Sequence, residues 1–204
     1  MADWSRFLPL SSGASVDESG VSNDWRPLVA DRLDRLAVLA ASPSFAEGGA
    51  ASAVSTPLLG ALVVRLSSST TQRLASRLGA REAADPPAPA ALPAALTALA
   101  TARRAGRGPT GVAELVEAVR VELALAPETV LPERVSGAVA LDRSLRAPLA
   151  IRAAARGSSL VPTDASWSLG SGPAVRAPAG EILRFLLDLG PFPTQAAPSP
   201  PAEG

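Results

Sequence analysis

The sequence contains no histidine, no cysteine and no lysine. The protein therefore cannot use histidine as an acid or base, it cannot use a thiol, and it lacks the usual ligands of zinc. Ser12, Ser55 and Ser158 are not candidate nucleophiles, because neither histidine nor lysine is present to remove a hydroxyl proton. We assign no catalytic residue and predict no cofactor.

The chain also lacks an excess of charge of either sign. It has 19 basic residues, all of them arginine, and 19 acidic residues. Dispersed arginines with zero net charge argue against a nucleic-acid partner, which usually requires a basic face. The most apolar stretch, Leu58–Leu66, is far shorter than the ~20 residues that span a bilayer, and the first residues lack the pattern of a signal peptide. We expect a cytoplasmic protein that binds neither nucleic acid nor membrane. The sequence does not identify a small-molecule or protein partner, or an oligomeric state.

Aromatic residues are scarce, at 3% of the chain, whereas 47% of the residues are hydrophobic. The core must consist of leucine, valine and alanine, and a chain rich in alanine and leucine favours helices. We predict an α+β protein that is mainly α, with a helical bundle followed by a small three-stranded antiparallel sheet and one covering helix. The predicted units are a mobile N-terminal arm at 1–22, the helical bundle at 23–156, the small sheet-plus-helix unit at 157–190 and a disordered Pro-rich tail at 191–204.

Short strands are predicted in the last unit, at Leu160–Thr163, Trp167–Leu169 and Ala174–Arg176. The glycines of Gly170–Pro173 predict a hairpin turn between the second and third strands. A leucine-rich helix begins at Pro178 and covers the sheet. Trp167 and Leu169 alternate along one strand, so both should point into the core between the sheet and this helix.

Four segments occur in an order that is typical of one protein family. They are the helix start Val112-Ala113-Glu114-Leu115-Val116, then Leu131-Pro132-Glu133-Arg134, then an Asp-x-x-Trp strand and Gly-x-Gly turn within 163–173, and finally Ala177-Pro178-Ala179. In this order, the region Val112–Gly190 resembles the C-terminal half of the mycothiol-dependent maleylpyruvate isomerase family. The last helix departs from the family pattern, because it ends in Gly190-Pro191 instead of Gly-Arg.

The resemblance implies a DinB-like helical bundle that binds a divalent metal ion. Its ligands would be a histidine on the second helix and a glutamate and a histidine that lie one turn apart on a later helix. The metal would lower the pKa of a bound thiol or water. Here Glu114 matches the glutamate, but Ala118 replaces one histidine and Arg65 lies near the position of the other. An arginine repels a metal ion, so we expect the metal site to be lost, with Arg65 and Glu114 as a candidate ion pair.

Glu114, Glu117 and Glu122 leave one further possibility, a carboxylate-only site for an ion such as Mg²⁺, with Glu114 and Glu117 as weak candidates. The simpler interpretation is that these residues are surface charges of a bundle helix. Three classes of function are compatible with the sequence: a catalytically degenerate relative that works as a binding or regulatory protein, an active enzyme that uses carboxylates or a carboxylate-held metal, and a structural partner in a larger complex. The absence of histidine favours the first and third classes.

Overall fold

Seven α-helices and three short strands make up the described part of the chain. The computed structural model describes residues 23–42, 50–68 and 85–193, so the predicted arm at 1–22 lies outside the described residues. The helices are α1 (Arg26–Ala40), α2 (Ala50–Ser67), α3 (Leu92–Arg104), α4 (Ala113–Leu125), α5 (Glu133–Arg146), α6 (Leu149–Ala155) and α7 (Ala179–Leu186). The strands are β1 (Ser159–Pro162), β2 (Leu169–Gly170) and β3 (Ala174–Ala177). The prediction of a mainly helical protein with a small three-stranded sheet is confirmed. Within these residues, no helix combines the length and the apolar character needed to cross a bilayer.

Helices α1 to α4 pack around a shared aliphatic core. Helix α1 lies against α3 and α4, and α2 lies against the same two helices. The apolar residues of α1 recur at helical spacing, so one face of the helix is buried. The largest fully buried side chains of these four helices include Leu33, Leu36, Leu59, Leu92, Leu96, Leu115 and Leu123. Burial of each such side chain stabilises the fold by about 1.5–3 kcal/mol relative to exposure.

Proline directly precedes each of the last three helices. Pro132, Pro148 and Pro178 come directly before α5, α6 and α7, with φ between −54° and −49° and ψ between 143° and 147°. The proline ring fixes φ near these values and disfavours a helical residue before it. Each proline therefore ends one segment and starts the next helix. Helix α5 packs against α4 and α7, and α7 packs against β1, so α5 connects the bundle to the small sheet.

The sheet is mixed, which corrects the prediction of an antiparallel sheet. Its strand order is β2-β1-β3, and β1 pairs antiparallel with β2 but parallel with β3. Ser159 of β1 lies opposite both Gly170 of β2 and Ala174 of β3. The segment Gly170–Pro173 is therefore not a hairpin turn between paired strands. It carries the chain past the start of β1, from one side of that strand to the other.

Two glycines make this crossing possible. Gly170 has a φ of 90° and Gly172 has a φ of 126°. A Cβ atom on Gly170 would overlap the carbonyl oxygen of Ser158, and one on Gly172 would overlap that of Gly157. Only glycine allows the turn to pass so close to the backbone that enters β1. The Gly-x-Gly pattern predicts a turn, but the contact with Gly157 and Ser158 sets the direction of the chain.

Trp167 packs on α5 rather than between the sheet and the last helix, which corrects the second prediction for this unit. It precedes β2 and is half-buried. Its ring lies on α5, where a Cβ atom on Gly137 would be 3.3 Å from the Trp167 Cδ1 atom. The indole Nε1 donates a hydrogen bond to Ser136 Oγ at 3.0 Å. Because the indole has a single N–H group, its hydrogen bond to Ser136 orients the ring toward α5.

Asp164, from the Asp-x-x-Trp segment, joins the loop after β1 to the start of α7. Its Oδ1 atom accepts a hydrogen bond from the backbone N–H of Ala179 at 2.7 Å. The first N–H groups of a helix have no partner within the helix, and a carboxylate near them is electrostatically favourable. Asp164 therefore helps to position α7 against the sheet.

The C-terminal boundary also differs from the prediction, which placed a disordered tail at 191–204. Phe192 packs edge-on against Phe185 of α7, with ring centroids 5.0 Å apart, and Pro193 is buried. The folded unit therefore extends to residue 193. The remainder of the predicted tail, 194–204, lies outside the described residues.

Candidate functional site

Three of the residues that the sequence analysis singled out meet in a cleft between α2, α4 and α5, which we call the bundle cleft. It has a volume of about 200 Å³. Arg65, Glu114 and Glu117 all contribute to its wall, together with Leu66, Ala113, Val116, Asp142, Arg143 and Arg146. The wall thus carries three carboxylates and three guanidinium groups, so its charges balance.

Glu114 is held by Arg103 in a buried, bidentate ion pair. The Nε atom of Arg103 lies 2.7 Å from Glu114 Oε2, and Nη2 lies 3.0 Å from Oε1. Each side chain is only 5% exposed. Two parallel charge-assisted hydrogen bonds of this kind are among the strongest that side chains form. They neutralise the charge of Glu114 and engage both of its oxygens.

The Arg103 guanidinium also connects three helix ends. Arg103 lies in the last turn of α3 and Glu114 in the first turn of α4. The Arg103 Nη2 atom donates a further hydrogen bond to the carbonyl oxygen of Leu66, in the last turn of α2, at 2.8 Å. Cations are favoured near helix C-termini and anions near N-termini, so both members of the pair lie where the helix dipoles stabilise them.

The loop between α3 and α4 packs closely on this guanidinium. Gly108 has a φ of 99°, and a Cβ atom on it would lie 2.6 Å from the Arg103 Cζ atom. A side chain at this position is disfavoured by the backbone conformation, and its Cβ atom would force the Arg103 guanidinium to move. The glycine-rich loop is therefore part of the ion pair's enclosure.

The other carboxylates of the bundle cleft are also paired with arginine. Arg65 Nη1 lies 3.0 Å from Glu117 Oε2, and Arg146 Nη1 lies 2.6 Å from Asp142 Oδ1. Arg65 is 52% exposed, unlike the buried Arg103. The structure therefore gives Arg65 and Glu114 different partners, in place of the ion pair between them that the sequence suggested.

Glu122 lies outside the bundle cleft and connects α4 to α1. It is fully buried, and its Oε1 atom lies 2.9 Å from Arg35 Nε and 3.3 Å from Arg32 Nη1. Burial raises the pKa of Glu122, and the two arginines oppose this effect without cancelling it. Its role is a charged contact between helices.

The three candidate carboxylates of α4 therefore do not converge. In residues 23–42, 50–68 and 85–193, no group of three or more potential metal-binding side chains is close enough together to hold an ion. Ala118 is fully buried one turn beyond Glu114, and its methyl group offers no ligand atom. Glu114, Glu117 and Glu122 instead face different arginines.

Arg103 is the important residue that the sequence analysis missed. It stands beside Arg104, which is half-exposed and pairs with Asp31 and Asp34 at the surface. Nothing in the local sequence distinguishes the two arginines. The only signal is that positions 103 and 114 flank a glycine-rich connection, which brings the end of α3 close to the start of α4.

Comparisons with known proteins found no relative: no family model matches the chain, and no curated protein and no solved structure is significantly similar to it. The family resemblance is carried only by the short motifs quoted from the sequence.

Proposed function

We propose that the protein is a catalytically degenerate relative of the mycothiol-dependent maleylpyruvate isomerase family, with a DinB-like bundle, and that it works as a binding or regulatory protein. The observation that carries this proposal is the buried ion pair between Arg103 and Glu114. The resemblance makes Glu114 a metal ligand. In this chain a guanidinium group occupies both carboxylate oxygens that would bind the metal.

Energetics support the loss of metal binding. A metal ion at Glu114 would have to displace Arg103, and a buried charge that loses its partner costs several kcal/mol. The other two family positions add no ligand, since Arg65 is a cation and Ala118 ends in a methyl group. Catalytic zinc sites normally use three protein ligands. The same geometry weighs against an enzyme with a carboxylate-held metal, because Glu117 is already paired with Arg65.

Metal analysis tests the proposal. The full chain, purified without chelator, should contain no stoichiometric zinc, magnesium or manganese by elemental analysis, and calorimetric titration with each ion should show no saturable site. About one zinc ion per chain would contradict the proposal. It would favour the alternative of an active metal-dependent enzyme.

A designed reversal tests the family positions directly. The triple variant Arg65→His/Arg103→Gln/Ala118→His introduces both family histidines and removes the guanidinium group that holds Glu114, so it should gain a zinc site. The matched control carries the same changes together with Glu114→Gln and should bind zinc weakly or not at all. Circular dichroism establishes that both variants are folded. A folded triple variant that binds no zinc would show that the family positions have been assigned to the wrong residues.

A further inference from the structure

A second cleft lies where α5, α6, the sheet and α7 meet, and we call it the arginine cleft. Its volume is about 340 Å³, within the range of roughly 300–1,000 Å³ that is typical of small-molecule sites. Arg143, Arg152 and Arg156 contribute its charged wall, and Leu160, Leu169 and Leu186 contribute its apolar wall. Arg143 also borders the bundle cleft, so the two clefts are neighbours.

The charge in the arginine cleft is not balanced. No aspartate or glutamate contributes to its wall. Within the described residues, Arg143, Arg152 and Arg156 form no ion pair, in contrast to Arg65 and Arg146 of the bundle cleft and to the arginines of α1. Arg143 Nε makes one long hydrogen bond, 3.5 Å, to the carbonyl oxygen of Leu186. Like charges brought close together repel one another, so an anion bound between them would be stabilised.

The apolar wall gives the cleft a second chemical character. Leu160 and Leu186 are buried, and Leu169 is half-buried at the edge of the sheet. Arg152 lies on α6 and Arg156 directly follows this helix; both side chains are exposed and line the cleft. A molecule with an anionic head group and a short apolar body could place the head between the arginines and the body against the leucines.

We propose that the arginine cleft binds a small organic anion with a carboxylate or phosphate head group and a short apolar body. Guanidinium groups present a planar set of donors that matches carboxylate and phosphate oxygens, and such charge-assisted bonds are strong. The site goes beyond the proposed function, because it lies apart from the family positions Arg65, Glu114 and Ala118 and gives the protein a ligand that the proposed function does not name. The metal analysis can therefore support or contradict the proposed function without affecting the prediction that the arginine cleft binds an anion.

Calorimetric titration of the full chain at low ionic strength tests this site with four probes: hexyl phosphate, hexanoate, inorganic phosphate and 1-hexanol. Hexyl phosphate or hexanoate should bind at one site per chain, and more tightly than both inorganic phosphate and 1-hexanol. Whichever of hexyl phosphate and hexanoate binds more tightly shows whether the cleft prefers a phosphate or a carboxylate head group. Added salt should weaken binding, because exposed charges are screened. If neither amphiphilic anion binds more tightly than inorganic phosphate and 1-hexanol, the proposal is wrong.

Substitutions locate the binding. Arg152→Gln and Arg156→Gln, made separately, should each weaken binding of the preferred anion by about tenfold or more, since each removes a charge-assisted hydrogen bond. Arg176→Gln changes an exposed arginine of β3 outside the cleft and should leave the affinity unchanged. Leu169→Ser should weaken binding of the amphiphile but not of inorganic phosphate. Equal affinity in the wild type and in both cleft arginine variants would overturn the proposal.

Discussion

The ion pair between Arg103 and Glu114 leads to a prediction of an unusually large effect from one substitution. Arg103→Ala removes both hydrogen bonds from the guanidinium to Glu114, which is only 4% exposed. It also removes the donor to the Leu66 carbonyl group at the end of α2. Loss of one partner from a buried ion pair typically costs about 3–5 kcal/mol. Most domains have a total stability of only ~5–15 kcal/mol, so this variant should lose a large share of the free energy of unfolding.

Urea denaturation at neutral pH, followed by circular dichroism, measures the effect, which should be a lower midpoint with an unchanged slope. The adjacent Arg104→Ala is the control. Arg104 is 47% exposed and pairs with surface aspartates, so solvent screens its interactions and its loss should have little effect. The double variant Arg103→Met/Glu114→Leu should recover most of the stability, because apolar residues of similar volume often replace a buried ion pair without cost. Equal, small losses of stability in Arg103→Ala and Arg104→Ala would refute the conclusion that the buried ion pair holds the ends of α2, α3 and α4 together.

Three further predictions concern other parts of the fold. The pKa of Glu122 is raised above its ordinary value of 4.5, so its contribution to stability is present below that pH and is lost as the pH rises. In thermal melts, the stability of Glu122→Gln relative to the wild type should therefore increase as the pH is raised from acidic to neutral. A difference in stability that does not change with pH would contradict this prediction. Gly108→Ala should destabilise the protein by more than about 1 kcal/mol because of its positive φ, whereas Gly111→Ala, which meets open space, should have little effect in the same urea assay. Truncation after residue 193 should leave the melting temperature unchanged. Truncation that also removes Phe192 should lower it, because the contact with Phe185 is lost, and such aromatic pairs contribute ~0.5–1.5 kcal/mol. Equal melting temperatures of the two truncated proteins would show that Phe192 does not contribute to stability.

The starts of the last three helices were predictable because their signals are local. Pro132, Pro148 and Pro178 fix the backbone at each helix start. The leucines identify the buried face only in α7, where Leu183 and Leu186 are buried; those of α5 and α6 are exposed, namely Leu141, Leu145 and Leu149. A proline can also mislead, as α2 shows. The pair Thr56-Pro57 suggests a helix start, yet α2 begins at Ala50 and contains Pro57 in its interior. Proline weakens a helix interior without always ending it.

The sheet was predicted only in part, because strand pairing depends on contacts that are distant along the chain. The short strands and the glycine turn are local features, but a three-residue connection normally suggests a hairpin. Here the turn passes close to the backbone at Gly157 and Ser158, and β3 pairs in parallel with β1. The position of Trp167 has a similar cause, because its hydrogen-bond partner, Ser136, lies 31 positions away.

The sequence by itself determined which chemistry is excluded and which residues share a helical face. The missing side chains exclude histidine and thiol catalysis, and the spacing of Glu114 and Ala118 places both on one side of α4. Only the tertiary structure decided the partner of each charge. Arg103 and Arg104 are neighbours in sequence, but the packing of three helix ends buries one against Glu114 and leaves the other at the surface. Ion pairs depend on distance and on exclusion of water, and both are set by how the helices pack.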